Sequence, residues 1–214
     1  MATTPVPSPQ DLWKLIHEER DRVGDMLGTL SDADMETASL CDGWRVRDVI
    51  SHMVETQLMT PPKFIGRFAG SGFRFSAFSN NGIAKHASQT PAELVAEYRA
   101  TAPRTTGPPG PKLTMLTEAV IHGEDIARPT GRTVASPPAA LAAVLDFTRQ
   151  STPLLHGKQR SAGLRLRATD VDYAAGDGPE VTGPAASLIL TITGRKAGLA
   201  DLSGEGLETL RSRV

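Results

Sequence analysis

The sequence predicts an α+β chain, a helical bundle followed by a small α/β unit, and three observations carry that prediction. Before residue 130, four separate stretches place apolar residues at three- and four-residue steps, the period of a helix with one buried face. From Leu164 the period drops to two: Leu164, Leu166 and Ala168 alternate with Arg165, Arg167 and Thr169, as in a strand exposed on one side. Proline and glycine clusters separate these stretches, as turns and helix ends require.

Taken in order, Leu12, Leu15, Ile16, Val23, Met26, Leu27 and Leu30 predict a first amphipathic helix over about residues 9–29. Ser31 to Asp34 supply turn and cap residues, and Asp42-Gly43 marks a break before Val46, Val49, Ile50, Met53 and Val54, a second helix over about 45–59. Pro61-Pro62 is expected to end it. Residues 63–90 read as irregular, with Phe64, Phe68, Phe73, Phe75 and Phe78 among Gly, Ser and Asn; such a stretch is either a core-capping loop or a pocket wall. Thr90-Pro91-Ala92-Glu93 has an N-cap threonine, proline at N1 and glutamate at N3, so a third helix starts there. After the Gly107 to Pro111 turn, Leu113, Leu116, Ala119, Val120 and Ile126 predict a fourth helix ending near Arg128-Pro129. Pro137-Pro138 opens a fifth, with Leu141, Val144, Leu145, Phe147 and Leu154. Gly176 to Pro179 reads as a hairpin turn into Glu180-Val181-Thr182, and Pro184 to Thr193 as an apolar helix closed by Gly194-Arg195. The expected organisation is a bundle over 1–132, a helical connector over 133–162 and the small unit over 163–214.

Composition excludes several function classes. Lys and Arg number 23 against 24 Asp and Glu, with no basic run, which disfavours nucleic-acid binding. The N-terminus lacks the basic start and apolar stretch of a signal peptide, and no segment approaches the roughly 20 apolar residues that span a bilayer. The expectation is a cytoplasmic protein without a membrane partner. A single cysteine, Cys41, rules out an intrachain disulfide and any cysteine-rich metal site, so a metal here needs nitrogen and oxygen ligands.

Glu118 and His122 stand four residues apart, on one face of the fourth helix about a turn apart, and can grip one ion together. His52 sits mid-way along the second helix, on the flank of Val49 and Met53. If the two helices are neighbours the three side chains converge, and two imidazoles with one carboxylate suit zinc, or less selectively another divalent metal, with positions left open for water or substrate. Spacing alone leaves the bland reading open, because Glu-x-x-x-His recurs by chance and a histidine on an apolar helix face is often a hydrogen-bonded core residue.

Two segments carry a resemblance. Cys41-Asp42-Gly43-Trp44 through Ser51-His52, and Glu118-Ala119-Val120-Ile121-His122 through Gly131-Arg132, resemble the mycothiol-dependent maleylpyruvate isomerase family of the DinB-like superfamily. The resemblance implies a DinB-like four-helix bundle in which His52, Glu118 and His122 bind zinc. Ala168-Thr169-Asp170, Gly183-Pro184-Ala185 and Thr193-Gly194-Arg195 resemble that family's second domain, a small α/β unit likened to sterol carrier proteins. The implied cofactors are Zn2+, or another divalent metal, and mycothiol. A thiol of pKa about 8.5 bound to a dication is deprotonated at neutral pH and serves as nucleophile. In the isomerase the thiolate adds to an activated cis double bond, the resulting single bond rotates, and elimination gives the trans isomer. The implied partners are that thiol and an electrophilic small molecule.

Around this site, Asp125 is positioned to accept a hydrogen bond from a ligand histidine, or else faces solvent. Arg195 resembles the arginine closing the second domain's Thr-Gly-Arg motif and is the candidate catalytic residue, clamping a carboxylate; a helix C-terminal charge is the plainer reading. Cys41 reads as a buried structural thiol, and Trp13 and Trp44 as core. His17, His86 and His156 receive no role, with His86 a candidate for the mouth of a pocket. Two functions follow: a zinc- and mycothiol-dependent isomerase or thiol transferase, or a non-catalytic metal- or ligand-binding module on the same fold.

Overall fold

The computed structural model describes residues 9–152 and 155–214, and Leu154, counted above with the fifth helix, lies outside them. The chain is α+β. It divides into two compact units, Asp11–Val134 and Ala135–Val214, and each is described by itself. No helix among the described residues is long and apolar enough to cross a membrane.

The first unit is helical. Helix α1 (Pro9–Leu27) is followed by a short α2 (Asp32–Met35), where Ser31 caps Asp34 N–H and the Asp34 carboxylate caps Ser31 N–H in return. Helix α3 (Val46–Gln57) comes next. The stretch expected to be irregular folds as two helices, α4 (Pro61–Gly70) and α5 (Phe75–Ile83), and a 3-10 turn, Ala84–His86. Pro61 and Pro62 open α4 rather than merely closing α3, because proline at the first helical positions gives up an N–H that has no partner there anyway. The phenylalanines stabilise the pair: Phe64 lies 5.5 Å from Phe68 and 5.2 Å from Phe78, ring centre to ring centre. Helix α6 (Pro91–Thr101) starts at the capping box expected from Thr90 and Glu93, and α7 (Leu113–Ala127) follows.

Helices α1, α3, α6 and α7 make the bundle. Val23, Ile50, Met53, Leu94, Tyr98 and Ile126 are fully buried at its centre. Glycines let α1 approach its neighbours: a side chain at Gly24 would meet Arg99 and Tyr98, and one at Gly123 would press on Val23 at 3.0 Å. Arg20, fully buried on α1, donates from Nη1 to the carbonyls of Ala102 and Arg104 and so closes the end of α6.

In the second unit, α8 (Pro138–Gln150) and the one-turn α9 (Gly157–Arg160) occupy most of the segment expected to be a connector, and both pack on α10 (Ala185–Ile192). Leu188, Ile189, Leu190 and Ile192 are all buried, the pattern of a helix covered on every side. The sheet has β1 (Arg165–Ala168) at its centre, flanked by β2 (Ala174–Ala175) and β3 (Glu180–Gly183). Alternation along β1 is as expected, Leu166 buried and Arg165 and Arg167 exposed. The turn at 176–179 is not a hairpin: it carries the chain from β2, antiparallel to β1, past β1 to β3, which runs parallel to it. Gly176 (φ 88°) sits so close beneath β1 that a Cβ would fall 2.2 Å from the Leu164 carbonyl oxygen. The resemblance motifs meet at α10: the Asp170 carboxylate accepts Ala185 N–H at 2.8 Å, and Gly194 (φ 102°) lets Arg195 N–H return to the Leu190 carbonyl. A short 3-10 segment, Lys196–Asp201, and α11 (Leu207–Arg211) complete the unit.

Candidate metal centre

Helices α3 and α7 pack side by side and bring the two predicted histidines together. The His52 and His122 rings are 5.1 Å apart and nearly perpendicular, and Trp44 lies against the other ring of the row, 5.1 Å from His52. Glu118 is one turn before His122, and Thr56, one turn after His52, offers its hydroxyl to the Glu118 carboxylate. On helices that are otherwise largely buried, His52, Glu118 and His122 are each only partly buried as residues.

Burial dominates the electrostatics of the place, with Arg20 the cation that acts on Glu118. Burial, helped by His122, lowers the His52 pKa to about 3, so the ring is neutral and a lone pair is free to bind. Burial pushes the Glu118 carboxyl up to about 8, against the pull of Arg20 and the Thr56 hydrogen bond. Its Oε1 is enclosed and makes no hydrogen bond. An enclosed carboxyl oxygen without a hydrogen bond, on a group that ionises readily only once a positive charge is beside it, fits a bound cation, and the donor set of two imidazoles and a carboxylate fits zinc.

Asp125 accepts the hydrogen bond anticipated for it. Its fully buried carboxylate oxygen Oδ2 lies 2.9 Å from His122 Nδ1. A carboxylate only accepts, so Nδ1 carries the proton and Nε2 the lone pair.

The arrangement also holds a residue that was read differently from the sequence. Cys41 is partly exposed rather than buried, and its thiol donates to the same Asp125 Oδ2 at 3.1 Å, with His122 Nδ1 at 3.7 Å. Donor atoms of Cys41, His122 and Asp125 lie within 4.8 Å of one another, so these three are a second set able to hold a metal. Trp44, expected in the core, only borders it and packs on His52. His86, given no role, is buried in an ion network: Nε2 lies 3.1 Å from Glu55, Nδ1 3.2 Å from Glu97, and Lys85 and Arg67 also pair with Glu55. The signals for Cys41 and His86 were invisible in sequence because their partners are tens of residues away.

Arg195 lies in the other unit. It is partly buried at the end of α10, its Nη1 donates to the Thr193 carbonyl at 3.2 Å, and its charge adds to partial burial in lowering the pKa of Arg160.

Comparison with known proteins agrees with the motifs. Residues 16–110 match the family model described as the mycothiol maleylpyruvate isomerase N-terminal domain, a span that includes His52 and stops before α7. No curated protein matches in sequence. Among solved structures, the crystal structure of the mycothiol-dependent maleylpyruvate isomerase superposes with a TM-score of 0.65 at 17% identity, covering 96% of each chain. A histidine-to-alanine mutant of that isomerase gives 0.63 at 16% identity, again with 96% of each chain covered. At such identity these likenesses establish the fold. Residues 16–110 are thus similar to the N-terminal domain of the mycothiol maleylpyruvate isomerase family, the family that the two motifs resemble.

Proposed function

We propose that the chain is a metal-dependent enzyme that uses a low-molecular-weight thiol, mycothiol first among the candidates, to isomerise or S-modify a small electrophile. The proposal assigns His52, Glu118 and His122 as ligands of one divalent ion, zinc by donor chemistry. The observation that carries it is the meeting of the His52 and His122 rings at 5.1 Å with the enclosed, unbonded Oε1 of Glu118 one turn away. The family model and the shared fold support the thiol and the reaction class.

The chemistry an ion supplies there is to keep a bound thiol deprotonated, and so nucleophilic, at neutral pH. The protein's own residues prepare for this. His52 stays neutral, Asp125 holds the His122 proton on Nδ1, and Thr56 orients the Glu118 carboxylate. Arg195 is assigned to an anionic group of thiol or substrate, which its planar fork of donors can hold bidentately.

The test is elemental analysis of the native protein, followed by assays with mycothiol and maleylpyruvate and with other electrophiles. One divalent ion per chain and turnover that requires the thiol are expected. Absence of stoichiometric metal, or a rate unchanged when thiol is omitted, overturns the reading. Metal and thiol binding without any turnover would favour the non-catalytic module instead.

A further inference from the structure

The segment from Thr37 to Val46 is a closed loop. Ser39 N–H and Val46 N–H bond the carbonyls of Trp44 and Thr37, Trp44 N–H returns to the Cys41 carbonyl, and the Ser39 hydroxyl donates to the Trp44 carbonyl at 2.8 Å while accepting Cys41 N–H. Gly43 takes the left-handed conformation (φ 77°) that the tight turn needs. Stiffened in this way, the loop has only small freedom in where it places Cys41.

Two neighbouring groups of the loop then land on one residue of α7. Leu40 N–H donates to the Asp125 main-chain carbonyl at 3.1 Å, and the Cys41 thiol donates to Asp125 Oδ2 at 3.1 Å. That same oxygen accepts His122 Nδ1–H at 2.9 Å. The loop thus anchors Asp125 by backbone and side chain at once, and Asp125 anchors His122.

From this geometry we infer that Cys41 is a positioning residue of the metal centre: its thiol orients Asp125, which orients His122 with Nε2 toward the ion. The inference rests on His52, Glu118 and His122 being the ligands. It opposes the alternative in which Cys41 itself binds the metal together with His122 Nδ1 and Asp125. The hydrogen bonds favour the positioning role, since Nδ1, Oδ2 and the thiol already satisfy one another and an ion among them would displace the protons of both bonds. Partners of ligand histidines are worth about 10- to 100-fold in metal affinity.

The experiment titrates metal-free wild type, Cys41→Ser, Cys41→Ala, Asp125→Ala and the Cys41→Ala/Asp125→Ala double variant with Zn2+ and Co2+ against a competing chelator. Serine keeps a donor, so Cys41→Ser is expected within about threefold of wild type and Cys41→Ala weaker by about tenfold, the low end for such partners. In the Asp125→Ala background, Cys41→Ala is expected to add nothing, because it acts through Asp125. The Co2+ spectrum is expected to lack a sulfur-to-cobalt charge-transfer band. Equal affinity of Cys41→Ala and wild type, an additive double variant, or a charge-transfer band that Cys41→Ser abolishes each overturns the inference. Should Cys41→Ala fail to fold, Cys41→Val replaces it under the same expectations. Wild type that takes up neither ion removes the ligand assignment and this inference together; uptake indifferent to Cys41 removes this inference alone.

Discussion

His52 on α3 and His122 on α7 stand edge to face, 5.1 Å between ring centres and 82° between planes. What the two helices bring together there is a partly open pair of imidazoles, of which burial keeps His52 neutral, beside the Glu118 carboxyl, whose pKa burial raises to about 8. Such a meeting is a poor way to stabilise a bundle and a good way to receive a cation.

Replacing a ligand should empty the centre. His52→Ala, Glu118→Ala and His122→Ala are each expected to weaken zinc binding by more than the roughly 100-fold upper figure for a residue that only supports a ligand. Competition titration with a chromophoric chelator measures this, and unchanged affinity in any one variant strikes that residue from the ligand set.

Binding must also appear as stability. With free zinc at about 100 times its Kd the folded state gains roughly 2.7 kcal/mol, which raises Tm by several degrees for a chain of this size. Thermal scans with zinc and with chelator check it; coincident curves contradict a folded-state metal site.

Arg195 separates two kinds of failure. Arg195→Ala is expected to leave metal content unchanged and to raise KM for an anionic substrate by on the order of tenfold, with Arg195→Lys intermediate because a point charge cannot reproduce a bidentate clamp. Steady-state kinetics with parallel elemental analysis decides it, and an unaltered KM returns Arg195 to a helix-end charge.

The Glu55 network gives an acid-side prediction. Burial alone raises the Glu55 carboxyl, yet hydrogen bonds from Lys85, Arg67 and His86 outweigh it and hold it below its ordinary 4.5. A depressed folded pKa contributes stability above the unfolded value and loses it as pH falls through the folded one. Glu55→Gln should therefore cost roughly 3 kcal/mol at neutral pH, the lower figure for breaking a buried ion pair, with the gap to wild type closing below about pH 4.5. Denaturant unfolding across that range measures the gap, and a pH-independent difference would deny Glu55 its charged role.

In the second unit, Gly176→Ala forces a Cβ to within 2.2 Å of the Leu164 carbonyl at φ 88°. A loss above about 1 kcal/mol is expected, since alanine is strained at positive φ. A wild-type melting profile for this variant would mean that the β2 to β3 crossing tolerates more room than its geometry allows.

Local chemistry made much of this legible. Thr90, Pro91 and Glu93 announce α6 because a capping box is complete within four residues, and Glu118 with His122 share a face because helix geometry alone dictates it. What escaped depends on distant partners. Helices α4 and α5 form where Gly, Ser and Asn argue for a loop, since Phe64, Phe68 and Phe78 recover by packing what local propensity lacks. The glycines at 176–179 signal a tight turn equally for a hairpin and for a strand crossing, and only pairing with β1 distinguishes them. Cys41 meets Asp125 across 84 positions, a separation at which no periodicity speaks.

The Leu40 amide, bonded to the Asp125 carbonyl, is placed to report on a centre that it does not touch. Its exchange with deuterium requires the loop to part from α7, and that parting also loosens His122; an occupied centre would resist it. If the centre binds an ion, one backbone proton in the Thr37 to Val46 loop would report how far occupancy slows the opening of that loop, in the intact protein without a chromophore, a substrate or a mutation.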